Sequence, residues 1–97
     1  MAKNIELKAK TVIARSPDQE SAYLDGEIVM MNVENGNYYN FNEVGTRIWE
    51  LIEKNPLTIE EIAEKIFEEF EVTREVSLED TIKFSKKIYE WGLIKVQ

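Results

Sequence analysis

Glu27-Ile-Val-Met-Met-Asn-Val-Glu-Asn-Gly-Asn-Tyr-Tyr-Asn-Phe41 is the stretch on which the fold turns. From Glu27 to Val33 both alternating sets are apolar, Ile28 and Met30 on one and Val29, Met31 and Val33 on the other. A strand of that kind is usually central and covered on two faces. Asn35-Gly36 follows, and both residues tolerate the positive φ of a type I′ hairpin turn. A two-residue loop there sets Glu34 opposite Asn37, Val33 opposite Tyr38, Asn32 opposite Tyr39 and Met30 opposite Phe41. Asn37-Tyr38-Tyr39-Asn40-Phe41 is then a returning strand, with Tyr39 and Phe41 on the face of Met30 and Ile28.

Upstream, Met1 to Lys8 is polar without a period and reads as a frayed end. Thr11-Val12-Ile13-Ala14 is β-branched at three positions of four and suits a first strand. Ser16-Pro17-Asp18-Gln19-Glu20 breaks it, and Asp25-Gly26 marks the next turn, with a strand able to begin near Ala22 or Tyr23.

Downstream the period changes to that of a helix. Asn42 stands at an N-cap position, and Val44, Ile48, Leu51 and Ile52 recur at helical spacing to about Lys54, where Asn55-Pro56 ends the run. Thr58 and Glu61 form a capping box flanked by a staple of Leu57 and Ile62, opening a second helix whose stripe is Ile62, Ala63, Ile66, Phe67 and Phe70. Glu71 to Val76 reads as a connector. Ser77 and Asp80 repeat the cap-plus-acid spacing for a third helix to Trp91, with Gly92 as its stop and Leu93-Ile94-Lys95-Val96 as an extended tail. The expected architecture is one α+β domain over residues 1–97. It has a three-stranded antiparallel sheet followed by three helices, in a winged helix-turn-helix-like arrangement.

Composition narrows the function. Twelve basic against 19 acidic residues leave a net charge of −7, which opposes nucleic-acid backbones and anionic membranes. The chain has no cysteine or histidine, so thiol nucleophiles, imidazole bases and the usual zinc sites are excluded. Glu60-Glu61 and Glu68-Glu69 read as a solvated helix face, not a metal site. No apolar run reaches the ~20 residues of a membrane span. These features point to a cytoplasmic module with no catalytic residues, no metal and no cofactor. A DNA-binding winged-helix regulator is the rival reading, resting on Lys83, Lys86 and Lys87 of the third helix. Against it stand the acidic balance and only three arginines, the residue type best suited to reading bases.

Two surfaces invite a ligand. On the third helix, Phe84, Ile88 and Trp91 form one apolar stripe, while Ile82, Ser85 and Tyr89, bordered by Lys86, form a second. Either the domain uses one wide apolar face for its core, or the second stripe lines a groove. The returning strand offers the same choice. As the edge of a meander ordered first–second–third, it carries no charge from Asn35 to Asn42, where exposed edges are normally blunted. It either templates an added strand or lies beneath the N-terminal segment.

Asp25-Gly-Glu-Ile-Val-Met-Met-Asn32 and Asn35-Gly-Asn-Tyr-Tyr-Asn-Phe-Asn-Glu-Val-Gly-Thr-Arg-Ile-Trp-Glu-Leu-Ile52 resemble the PqqD-like peptide chaperones, or precursor-peptide recognition elements. Thr58-Ile-Glu-Glu-Ile-Ala63, Phe70-Glu-Val72 and Trp91-Gly-Leu-Ile94 fit the same pattern, so the resemblance spans roughly residues 11–96. It implies a winged helix-turn-helix fold without DNA binding. It also implies that the protein captures the leader of a ribosomally made precursor peptide, as a strand against the third strand and third helix. Carried onto this sequence, the edge is Asn37, Tyr38, Tyr39, Asn40 and Phe41, and the helix wall is Ile82, Ser85, Lys86 and Tyr89. The tyrosine-rich hairpin and Ile48-Trp49 look most like the discrete leader-binding proteins of lasso-peptide clusters. There the partners are a leader peptidase and, after it, a macrolactam-forming cyclase, and the leader carries a Tyr-x-x-Pro-x-Leu type motif.

Overall fold

The computed structural model describes residues 6–17, 19–24, 27–32 and 38–97. The Asp25-Gly26 and Asn35-Gly36 turns, Val33, Glu34, Asn37 and residues 1–5 lie outside the described residues. In chain order the elements are β1 (Val12–Arg15), β2 (Gln19–Leu24), β3 (Glu27–Asn32), β4 (Tyr38–Asn40), α1 (Glu43–Lys54), β5 (Leu57–Thr58), α2 (Ile59–Glu69), α3 (Arg74–Glu90) and β6 (Ile94–Val96).

The α+β architecture with a three-stranded antiparallel sheet and three helices is present, but a different segment supplies the sheet's first strand. The meander is β2-β3-β4, with β2 starting at Gln19. Strand β1 leaves it to sit between β5 and β6, pairing Ile13 with both Leu57 and Val96. The apolar tail is therefore a strand. Hydrogen bonds from Ser16 N–H to Leu93 C=O and from Gln97 N–H to Val12 C=O close the two ends of that pairing. Leu7, expected in a frayed end, is buried, and Ala9 and Thr11 accept from the first backbone N–H groups of α2.

The hairpin register also differs. Met30 pairs with Tyr39 and Met31 with Tyr38, so β4 is displaced by two residues from the expected alignment. A slip of two preserves which side chains share a face. Tyr39 and Phe41 accordingly keep company with Met30 and Ile28, as the alternation of the sequence implies. Phe41, Ile28 and Met30 are all buried, and Phe41 N–H donates to Ile28 C=O at 3.0 Å. Thr46 of α1 finishes the ladder: its hydroxyl accepts from Ile28 N–H and donates to Phe41 C=O.

Helix α1 begins where Asn42 predicts, its Oδ1 accepting from Gly45 N–H at 2.8 Å. The Thr58–Glu61 capping box of α2 is fully formed. Helix α3 starts earlier than expected, at Arg74, with Thr73 as its cap accepting from Val76 N–H. Ser77 is not the cap. It is buried inside the helix and donates its hydroxyl to Ala63 C=O of α2. Ser77, Thr81 and Ser85, one turn apart, are all buried, and such small side chains let α3 lie close to its neighbours. Gly92 takes φ 78° to turn the chain from α3 into β6.

The core joins both sheets and all three helices: Ile13, Ile28, Met30, Phe41, Ile48, Trp49, Ile52, Ile59, Ile62, Ile66, Ile88, Leu93 and Ile94 form one cluster. At its border Arg15 lies 4.2 Å from the centre of the Trp49 ring and donates to Trp49 C=O. Arg47 clips α1 to α2 by a two-pronged bond to Glu69 at 2.7 and 3.0 Å. Those hydrogen bonds hold the Glu69 carboxyl below its ordinary pKa.

Candidate functional site

Strand β4 is an outer strand of its sheet, at the edge opposite β2. Because Phe41 donates to Ile28, the alternation of an antiparallel ladder directs Tyr39 and Phe41 toward β3. It turns the N–H and C=O groups of Tyr38 and Asn40 to the open side. Two donors and two acceptors thus face away from the sheet, one residue apart from each other. The Tyr38 side chain is 70% exposed and Asn40 is exposed, whereas Tyr39 and Phe41 point into the fold. The edge has no lysine, no proline and no charge, the devices that ordinarily protect such strands.

Aromatic contacts fix how α3 stands beside this edge. Tyr39 stacks on Trp91 with ring centres 4.2 Å apart and planes 14° from parallel. Phe41 meets Phe84 edge-to-face at 5.0 Å and Trp49 at 5.7 Å. Beyond the C-terminal end of β4, a cleft of about 290 Å³ opens between the first turn of α1 and α3. Asn42, Val44 and Gly45 line one wall, and Asp80, Lys83, Phe84 and Lys87 the other. The close approach has a local cause. Gly45 leaves room for the Phe84 ring, because a Cβ at that position would lie 2.7 Å from its Cε1 atom.

Of the residues expected at the site, Tyr38, Tyr39, Asn40 and Phe41 are brought together on and behind the edge. The wall residues expected on α3 are not brought to it. A helix turns about 100° per residue, so Ile82, Lys86 and Tyr89 point roughly 140–160° away from Phe84. Ser85 is fully buried and offers no surface. The flank of α3 beside β4 carries Lys83, Phe84, Lys87 and Trp91 instead. Phe84 and Trp91 are legible in the sequence as one stripe, and that stripe reads as core. Both are only partly buried, which a sequence stripe does not reveal. The i, i+4 spacing of Lys83 and Lys87 is the available signal for a charged rim on that flank.

Among the described residues, neither Lys83 nor Lys87 lies within 4.0 Å of a carboxylate, whereas Lys10, Arg47, Lys65 and Arg74 do. The Lys87 ammonium stands 5.9 Å from the centre of the Trp91 ring. No group of three or more acidic side chains among the described residues is arranged to hold a metal ion. Nor is any helix among them long and apolar enough to cross a membrane.

The profile of the family described as Coenzyme PQQ synthesis protein D (PqqD) matches residues 27–94, from the start of β3 into β6. The chain belongs to the PqqD family. A solved structure similar to this chain is that of TbiB1 in complex with the TbiA(beta) leader peptide. It is 30% identical, with a TM-score of 0.77 over 84% of this chain and 94% of that one. A second structure, lasso peptide synthetase B1 complexed with the leader peptide, shares 19% identity and shows the same fold. Its TM-score is 0.76 over 86% of this chain and 96% of that one. No curated protein matches the chain. The family reading drawn from the Gly-x-Tyr-Tyr-x-Phe stretch is therefore established, with its α+β fold.

Proposed function

We propose that this PqqD-family protein binds the leader segment of a ribosomally made precursor peptide, of the lasso class, as an extra strand on the outer edge of β4. The segment's side chains enter the cleft against α3. Held there without any catalytic step, the leader is presented in the cytoplasm to a leader peptidase and then a macrolactam-forming cyclase. One observation carries the reading: an unprotected strand edge opens beside a cleft, in a fold shared with a relative solved around a leader peptide.

The energetics give edge and cleft different roles. Tyr38 and Asn40 offer up to four main-chain hydrogen bonds, each worth about 0.5–1.5 kcal/mol net, or roughly 2–6 kcal/mol together. Ordering a flexible segment costs about 2–5 kcal/mol, which offsets most of that gain. Main-chain pairing then supplies geometry with little sequence preference. Affinity and selection fall to apolar anchors beside Phe84, Trp91 and Val44. The chain's acidic balance gives duplex DNA no comparable support. All three arginines are already engaged, Arg15 by Trp49 C=O, Arg47 by Glu69 and Arg74 by Glu64.

The test is fluorescence anisotropy of a labelled lasso leader titrated with the protein, repeated with the leader's motif tyrosine and leucine changed to alanine. Saturable binding that the double change removes supports leader capture. Absence of binding across a panel of leaders, at tens of micromolar protein, overturns it.

A further inference from the structure

We infer that the bound segment carries an acidic side chain, glutamate or aspartate, where it passes the rim formed by Lys83 and Lys87. The inference deepens the leader-binding reading and rests on it. Among the described residues, Lys8, Lys54, Lys83, Lys86, Lys87 and Lys95 have no carboxylate within 4.0 Å, whereas Lys10 and Lys65 do. Of these, Lys83 and Lys87, one helical turn apart, border the same cleft. Neighbours on the same helix do not neutralise them: Glu79, Asp80 and Glu90 lie three or four residues away, yet none comes within 4.0 Å of either ammonium among the described residues. Asp80 shares the rim and offsets one of the two charges, leaving the rim net positive.

Helix energetics explain only part of this placement. Lys87 lies in the last turn of α3, where a cation suits the helix dipole, but Lys83 lies a turn earlier, where that benefit has faded. The site is local as well. The field of the whole protein is negative, so an acidic segment is repelled at long range and attracted only within a Debye length of the rim, about 8 Å at physiological salt. Position in the peptide follows from the geometry: Asn42 and Val44 come directly after β4. The acidic residue thus lies within a few residues of the strand-paired segment, at the end that passes α1.

Fluorescein-labelled leader peptides in which each position in turn is Glu, Gln or Lys provide the test, by anisotropy at low salt and again at several-fold higher salt. At one position or two neighbouring ones, Glu should bind about two- to five-fold more tightly than Gln, the range of an exposed ion pair, and Lys more weakly than Gln. The preference should shrink at high salt and vanish in Lys83→Gln/Lys87→Gln. It should persist in Lys54→Gln, a change at the far end of α1. Binding with no Glu preference at any position, or a preference unchanged in the double variant, overturns the inference while leaving leader capture intact. Failure of every peptide to bind overturns leader capture itself and the inference with it.

Discussion

Replacing Gly45 by alanine tests the contact that shapes the cleft. Gly45 lies within α1 with ordinary helical backbone, so alanine there meets no conformational obstacle. By helix propensity alone it should stabilise the protein by about 0.8–1.0 kcal/mol. The opposing effect is steric. The new methyl would stand 2.7 Å from Cε1 and 3.0 Å from Cζ of Phe84, where carbon atoms prefer about 3.5–4.0 Å. The ring must retreat, but Phe41 meets it edge-to-face at 5.0 Å and is itself buried. Overpacking of this kind costs about 1–3 kcal/mol. The difference predicts a net loss of roughly 0–2 kcal/mol in urea denaturation. Displacing Phe84 also reshapes the cleft, so leader affinity should fall at least several-fold. A Gly45→Ala protein about 1 kcal/mol more stable than the original, with unchanged leader affinity, would refute the reasoning.

Other substitutions separate edge, scaffold and charge. Asn40→Pro removes a donor on the open side of β4 and leaves the ladder to β3 intact. Stability should change by less than about 1 kcal/mol, while the unmet bond in the complex lowers leader affinity about five- to a hundred-fold in anisotropy titrations. Thr58→Ala breaks the α2 cap far from the cleft, and should cost about 1 kcal/mol in urea denaturation without altering leader affinity. Arg47 depresses the Glu69 pKa in the folded state, so its stabilising contribution is complete above the ordinary glutamate value of about 4.3 and lost as pH falls through the lower folded value. The stability difference between the original protein and Glu69→Gln should be flat from about pH 5 to 8 and shrink below about pH 4. A gap that widens on acidification would contradict this.

What the sequence made legible was the local part of the fold. Asn42, the Thr58–Glu61 box and Gly92 act on backbone groups within a few residues, and each sits where its chemistry says. Face patterning was equally robust, because Tyr39 and Phe41 share a face with Met30 in either of two registers that differ by two residues. The register itself was not legible, since alternation is blind to an even slip. Ser77 misled for a related reason. A small hydroxyl three residues before an acid reads as a cap, and only the packing of α3 against α2 shows it bonded to Ala63 C=O. The partners of β1 lie more than 40 residues away in β5 and nearly twice that in β6, so nothing local announced them. The site divided along the same line. Tyr38 and Asn40 followed from strand pattern, but the flank of α3 that faces them depends on the Tyr39–Trp91 stack and on the space at Gly45.

The central claim is that the leader becomes a strand on β4, and N-methylation of the leader's backbone tests it most directly. Each residue of a labelled lasso leader would be N-methylated in turn and its affinity measured by anisotropy. Amides that face Tyr38 and Asn40 should not tolerate the methyl, while the intervening ones, which face away, should tolerate it. The account therefore predicts losses with a period of two across the paired segment. Losses without that period, or none at all in a leader that still binds, would contradict it.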